Sequence, residues 1–134
     1  MRKVRVFDKK TNQFIKTEMP YECIGTDGKF YRYSREKHVY EDHTKQVIIN
    51  ESLGVVDEKM KEVYTDDIVE VDVTVPHISE GNLVVCRGVM AYSSFTMSYQ
   101  VIFLNPPQFI EGQNVQFTVK RVLGNVHQNK ELII

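Results

Sequence analysis

The stretch Asp66-Asp67-Ile68-Val69-Glu70-Val71-Asp72-Val73 alternates acidic with apolar residues, and a two-residue period marks a strand with one face turned to a core. Asp67, Val69, Val71 and Val73 then share one side and Asp66, Ile68, Glu70 and Asp72 the other, so the valines define the core face. Toward the carboxyl end, Leu83 to Tyr92, Phe95 to Leu104 and Val115 to Leu123 have the same strand-like composition. Pro76, Gly81-Asn82, Ser93-Ser94 and Pro106-Pro107 with Gly112 punctuate them. Together with Ile68 to Val75, these short and evenly spaced strands predict a small open barrel, Src-homology-3-like or related, from about Met60 onward. Asn125 to Leu132 fits a short helical turn before the apolar end Leu132-Ile133-Ile134.

Toward the amino end, Val4 and Val6 alternate with Arg5, Asp8 to Asn12 reads as a turn, and Phe14-Ile15 returns as a hairpin. Asp27-Gly28 lies between Tyr21-Glu22-Cys23-Ile24 and Phe30-Tyr31-Arg32-Tyr33, a strong hairpin signal because glycine tolerates positive φ. Ser34 to Thr44 reads as a mobile loop or a short helix. Gln46 to Ile49 reads as a short strand followed by a turn at Ser52-Leu53-Gly54 and a linker toward Lys61. The expected fold is therefore mainly β with little helix, its amino-terminal hairpins packed on the barrel.

Composition bounds function by exclusion. The chain has 134 residues, 42% hydrophobic and 26% charged, with a formal net charge of −1, which describes a globular domain and no bulk basic field. The start, Met1 to Phe7, lacks the apolar run of a secretory signal, and nothing approaches the ~20 apolar residues of a membrane span. A soluble, cytoplasmic protein with no membrane partner is expected. Cys23 and Cys86 have no pattern around them and read as thiols in a reducing compartment, to be joined only if they meet in the fold.

Three stretches carry more specific information: Lys3-Val4-Arg5-Val6-Phe7-Asp8-Lys9-Lys10-Thr11, then Lys61-Glu62-Val63-Tyr64-Thr65-Asp66-Asp67-Ile68-Val69, then Gly124-Asn125-Val126-His127-Gln128-Asn129-Lys130-Glu131-Leu132. Their order and spacing resemble the YopX family of small proteins carried by bacteriophages and prophages of Gram-positive bacteria. This chain departs from that pattern at Met60 and Asp66, where the family usually has Gly, and at Lys130, where it has Pro. The resemblance implies a single YopX-like domain over residues 1–134, with sub-regions 1–59 and 60–134. It also implies a phage- or prophage-derived accessory protein in the cytoplasm of a bacterial host cell. It supplies no reaction.

Nor do the residues. Asp66, Asp67, Glu70 and Asp72 are dense enough to suggest Mg²⁺ or Ca²⁺, yet they lack EF-hand spacing, and alternation divides them into a solvated face and a strand-mouth Asp67 that accepts loop amides. His38 and His43 flank Glu41-Asp42 in a spacing that fits neither HExxH nor a zinc finger. No Gly-x-Ser-x-Gly elbow, Cys-His pair with an orienting carboxylate, or phosphate-cradling loop is present. A non-enzymatic protein acting through protein–protein contacts is expected, with no catalytic residue, metal or cofactor. It is expected to be a homo-oligomer, because Pro106 to Ile110, the apolar end and the strand edges call for cover, with a phage or host protein as a further partner. The alternative is a single-stranded nucleic-acid-binding module in the aromatic and basic segment 29–37. It would use Lys29, Tyr31, Arg32, Tyr33 and Arg35, the rings stacking on bases and the cations tracking phosphate.

Overall fold

The computed structural model describes residues 3–15, 22–74, 83–93, 95–106 and 116–133. The expectations placed on Pro76, Gly81-Asn82, Ser94, Pro107 to Ile110, Gly112 and Ile134 lie outside them. Lys3–Glu51 form one compact unit and Ser52–Ile134 another, and the division falls inside a strand.

In the first unit β1 (Val4–Asp8) pairs antiparallel with β2 (Gln13–Ile15), as the alternating pattern predicted. The other edge of β1 pairs with the first half of β6 (Val47–Val56), Phe7 opposite Ile48 and Asp8 opposite Val47. A separate antiparallel sheet holds β3 (Glu22–Ile24), β4 (Phe30–Ser34) and β5 (Val39–Asp42) in that order. The core of this unit is Val6, Phe30 and Val47, with Ile15, Ile24 and Ile49 against it.

Strand β5 stands where the sequence reads as a loop or short helix. Its cause is a tight turn: Ser34 Oγ accepts from Lys37 N–H (3.2 Å), Ser34 O accepts from His38 N–H (2.8 Å), and His38 takes a φ of 56°. That turn brings Tyr40 opposite Tyr33, whose rings meet edge to face at 5.3 Å. Strand β6 likewise runs through the expected turn at Ser52-Leu53-Gly54. Gly54 has a φ of +76°, its N–H donates to Ser52 Oγ at 3.1 Å, and pairing with β7 (Glu62–Tyr64) slips between Ser52 and Val56. The left-handed glycine makes a bulge rather than a chain reversal.

In the second unit β8 (Asp67–Thr74), β9 (Leu83–Ser93), β10 (Ser98–Leu104) and β11 (Gln116–Asn125) form an antiparallel sheet in the order β10-β9-β8-β11. Val69, Val71 and Val73 are fully buried with Val63, Cys86 and Met90, as the alternation predicts for the core face, but Ile68, which it puts on the solvated face, is fully buried as well. Each valine so buried contributes about 1.5–3 kcal/mol. Strand β10 starts three residues later than predicted because Phe95–Met97 belong to a turn. The sheet is open, with β10 and β11 at its edges. Tyr99 on β10 and Phe117 on β11, at opposite ends of the strand order, line one apolar cleft of about 430 Å³ with Leu53, Val55 and Val56 of β6.

The molecule is thus mainly β. Helix among the described residues consists of two 3-10 turns, Thr44–Gln46 and Lys130–Leu132, the second inside the predicted closing turn. No helix there is long and apolar enough to cross a membrane.

Candidate functional site

Two of the motif carboxylates, Asp8 and Asp67, are occupied by the backbone. At the end of β1, Asp8 is buried and its Oδ1 accepts from Lys10 N–H at 2.9 Å, closing the turn into β2. Asp67, fully buried at the mouth of β8, accepts from Tyr64 N–H at 2.8 Å, as a turn aspartate does. Glu70 lies 3.9 Å from Lys120 Nζ, and Asp66 Oδ2 lies 3.3 Å from His127 Nε2 on a nearly buried imidazole. The acidic run is therefore spread among separate partners. Among the described residues no three His, Cys, Asp or Glu side chains gather in a way that could hold a metal ion.

The central and closing motifs meet in space. Asn125 sits opposite Asp67 and Gly124 opposite Ile68, while Asp66 O accepts from Val126 N–H at 3.0 Å. Buried Asn125 organises the turn: its Oδ1 accepts from His127 N–H (3.1 Å) and Gln128 N–H (2.9 Å), and Asn129 Oδ1 accepts from Asn125 N–H (3.1 Å). Gly124 is glycine for space, since a Cβ there would stand 2.5 Å from Asn129 Oδ1. The two stretches are one joint of the fold.

Asp57, which the sequence reading passed over as linker, is the other such joint. Its Oδ1 accepts from Lys59 and Lys61 N–H, both at 2.9 Å, and its Oδ2 from Val122 N–H at 2.9 Å, pinning the β6–β7 turn to β11. The Val122 amide above all, with those of Lys61 and Lys59, holds its carboxyl below the usual range. The Asp57–Lys59 spacing recurs at Asp8–Lys10 and Asp27–Lys29, so an aspartate two residues before a turn lysine was a readable signal.

The aromatic and basic segment is divided by strand alternation. Phe30 is wholly buried in the core of the first unit. Arg32, on the same side of β4, lies 3.2 Å from Glu22 Oε2 and 4.0 Å from Asp8 Oδ2. Tyr31 and Tyr33 share the other face with Tyr40 of β5, and Tyr33 Oη lies 3.3 Å from His38 Nδ1. Tyr31 Oη donates to Asp27 Oδ2 at 2.5 Å, a bond that pushes the phenol up to about 12. Lys29 Nζ lies 3.9 Å from Asp42, and Arg35 is exposed in the turn after β4. Of the five residues, the structure brings Tyr31 and Tyr33 together and turns Arg32 away. Five basic residues in 22–46 (Lys29, Arg32, Arg35, Lys37, Lys45) face five acidic ones (Glu22, Asp27, Glu36, Glu41, Asp42), so the segment has no net positive charge.

The histidines are dispersed. His43 Nδ1 lies 3.3 Å from Gln46 Oε1, His38 contacts Tyr33, and His77 lies outside the described residues. Both described thiols are free, Cys23 half-buried on β3 and Cys86 buried on β9, where desolvation pushes the thiol up.

Exposed apolar surface gathers on the second unit. Val55 and Val56 border the cleft, Val85 and Ile102 stand on the outer face of the sheet, and Phe95 and Met97 stand on the β9–β10 turn.

Comparison with known proteins gives one family. The family described as YopX protein matches residues 3–134. No curated protein matches the chain. Among solved structures, the X-ray structure of the yopX protein from Bacillus subtilis is similar, at 15% sequence identity and a TM-score of 0.40, covering 98% of this chain and 97% of that one.

Proposed function

This chain belongs to the YopX family, and from that premise we propose that it is a phage- or prophage-encoded accessory protein of the bacterial cytoplasm, non-enzymatic, that acts through protein–protein contacts and self-associates. The observation that carries the reading is an exposed apolar set on the second unit: Val55, Val56, Phe95, Met97 and Ile102. Interfaces gather aromatic residues and methionine and lose charge at their centres, and Phe95, Met97 and Ile102 stand in a run, Gly88 to Ile110, without a charged side chain. Three buried carboxylates support the non-enzymatic half, because Asp8, Asp57 and Asp67 accept main-chain amides. Light scattering on the purified chain, with affinity capture from prophage-bearing cells, tests it. The expected result is an oligomer, or a captured protein that Val56→Asp no longer retains. A strict monomer that recovers no protein refutes the proposal.

A second reading rests on Tyr31, Tyr33 and Tyr40 sharing one face of the β3–β4–β5 sheet. Three rings on one face offer a stacking surface for single-stranded nucleic acid, worth about 1–3 kcal/mol per stacked base. Binding that falls with salt and drops on replacing Tyr33 and Tyr40 with Ala favours it; no binding at low salt removes it.

A further inference from the structure

From Gly88 to Ile110 the sequence contains no charged side chain, although charged residues make up 26% of the chain. This run supplies the second half of β9 and all of β10. Among the described residues β10 pairs only with β9, so the run ends in a sheet edge. Edge strands normally carry a lysine, a proline or a bulge that discourages pairing with another chain. Strand β10, Ser98–Leu104, has neither residue, and its ladder to β9 runs without a register shift.

The surface beside that edge is apolar. Ile102 is 60% exposed, and at the hairpin tip Phe95 and Met97 are 97% and 78% exposed. The polar groups of the tip are bonded among themselves. Thr96 N–H donates to Ser93 Oγ at 3.3 Å, Thr96 Oγ1 and Ser98 Oγ lie 2.9 Å apart, and Gln100 Nε2 donates to Thr96 Oγ1 at 3.1 Å. Removing the tip from water therefore leaves these groups satisfied and avoids the main cost of burying polar atoms.

We propose that this hairpin is the interface between two copies of the chain, β10 pairing antiparallel with β10 of a second copy about a two-fold axis at Val101. The inference rests on the self-associating reading above and names its surface and register. With Val101 on the axis, Tyr99 stands opposite Phe103, Gln100 opposite Ile102, and Ser98 opposite Leu104. Each pair lies on one face of the joined sheet, because strand alternation is preserved across an antiparallel pair. Charge permits this self-pairing: neither strand carries any, so no like charges meet at the axis, where an edge lysine or glutamate would face its own copy.

The area is sufficient. Phe95, Met97 and Ile102 expose roughly 400 Å² of apolar side chain per copy, judged from the size of such side chains. Doubled, and with the paired strands added, the interface reaches about 1,000 Å², where specific association begins.

Sedimentation velocity of the full chain over a wide concentration range tests the proposal. Ile102→Lys, exposed enough to leave the fold intact, is expected to weaken self-association about tenfold or more by introducing repulsion at the seam. Phe95→Ser combined with Met97→Ser, which removes most of the exposed apolar area counted above, is expected to weaken it by a comparable factor. Val85→Lys, exposed on the outer face opposite Asp72 and past the end of β10, is the control that leaves association unchanged. Self-association that survives both Ile102→Lys and the tip variant overturns this interface while leaving the self-associating reading standing. A wild-type chain that stays monomeric at every concentration overturns both.

Discussion

Replacing Met60 with glycine is expected to stabilise the protein, against the usual direction for glycine substitutions. Met60 has a φ of 64° and its side chain is 76% exposed, so it is held left-handed with little burial in return. The turn dictates that conformation: Met60 N–H donates to Asp57 O at 3.0 Å while Asp57 Oδ1 takes the Lys59 and Lys61 amides. A left-handed non-glycine residue costs about 1–2 kcal/mol. Glycine removes that cost and adds about 0.5–1 kcal/mol through the greater freedom of the unfolded chain. The net is a gain of about 0.5–1 kcal/mol. In urea, with a slope of about 1–3 kcal/mol per molar, the midpoint rises by roughly 0.2–1 M. Met60→Ala separates the causes, since it removes the side chain and leaves the strain. Equal stabilisation by alanine and glycine, or destabilisation by glycine, would refute the argument from φ. Asp66, with a φ of 68°, supplies the contrast: Asp66→Gly relieves the same conformation but loses the carboxylate contact with His127, so its gain is smaller or absent.

Gly124→Ala places a Cβ against the Asn129 amide and is expected to destabilise by about 1–3 kcal/mol, the usual cost of overpacking. Thermal melts of Gly124→Ala, Asn129→Ala and the double variant check this, the double costing less than the sum of the singles. Acid should unfold the protein through its turn aspartates. Asp27, Asp42 and Asp57 all have depressed folded pKa values, so their stabilisation is full above the ordinary 3.8 and is lost as pH falls through the lower folded values. Fluorescence-monitored acid titration should therefore give a flat profile above pH ~5 and a transition below pH ~4, with Asp57→Asn less stable at neutral pH and less sensitive to acid. In an ultraviolet titration of tyrosinate, Asp27→Asn should bring the Tyr31 phenol down from about 12 toward its ordinary 10.0.

What the sequence made legible follows from what side-chain alternation can encode. Val69, Val71 and Val73 define their face because each lies on a strand between long neighbours, and the Asp27-Gly28 hairpin forms because its turn residues act locally. Strands β5 and β7 were not legible. The first is specified by a turn whose left-handed residue is His38 rather than glycine, and the second contains only Glu62–Tyr64, too short for a period to show. Asn12, Met60, Asp66, Met97 and Asn105 likewise take positive φ without being glycine, so turn prediction from Gly and Pro alone passes over several of the reversals that close this fold. The candidate surface was harder to see than the fold. Alternation along residues 30–35 already divides the aromatic and basic residues between two faces, and β4 places Arg32 and Tyr33 accordingly.

The motif residues and the exposed apolar surface belong to different parts of the molecule, and this bears on how function transfers within the family. Asp8, Asp67, Gly124, Asn125 and Asn129 act on main-chain amides and on one another, so sharing them means sharing turns and the β8–β11 joint. The uncharged hairpin of β9 and β10 contains none of them. A chain can therefore keep every motif residue and place a lysine at the position of Ile102, retaining the fold while losing the surface on which self-association is proposed. Family membership thus bears on how this chain folds, and the uncharged β10 edge bears on the self-association proposed for it. Exchanging the β9–β10 hairpin between two members should move the oligomeric state with the hairpin and leave the melting behaviour of the remaining sheet in place.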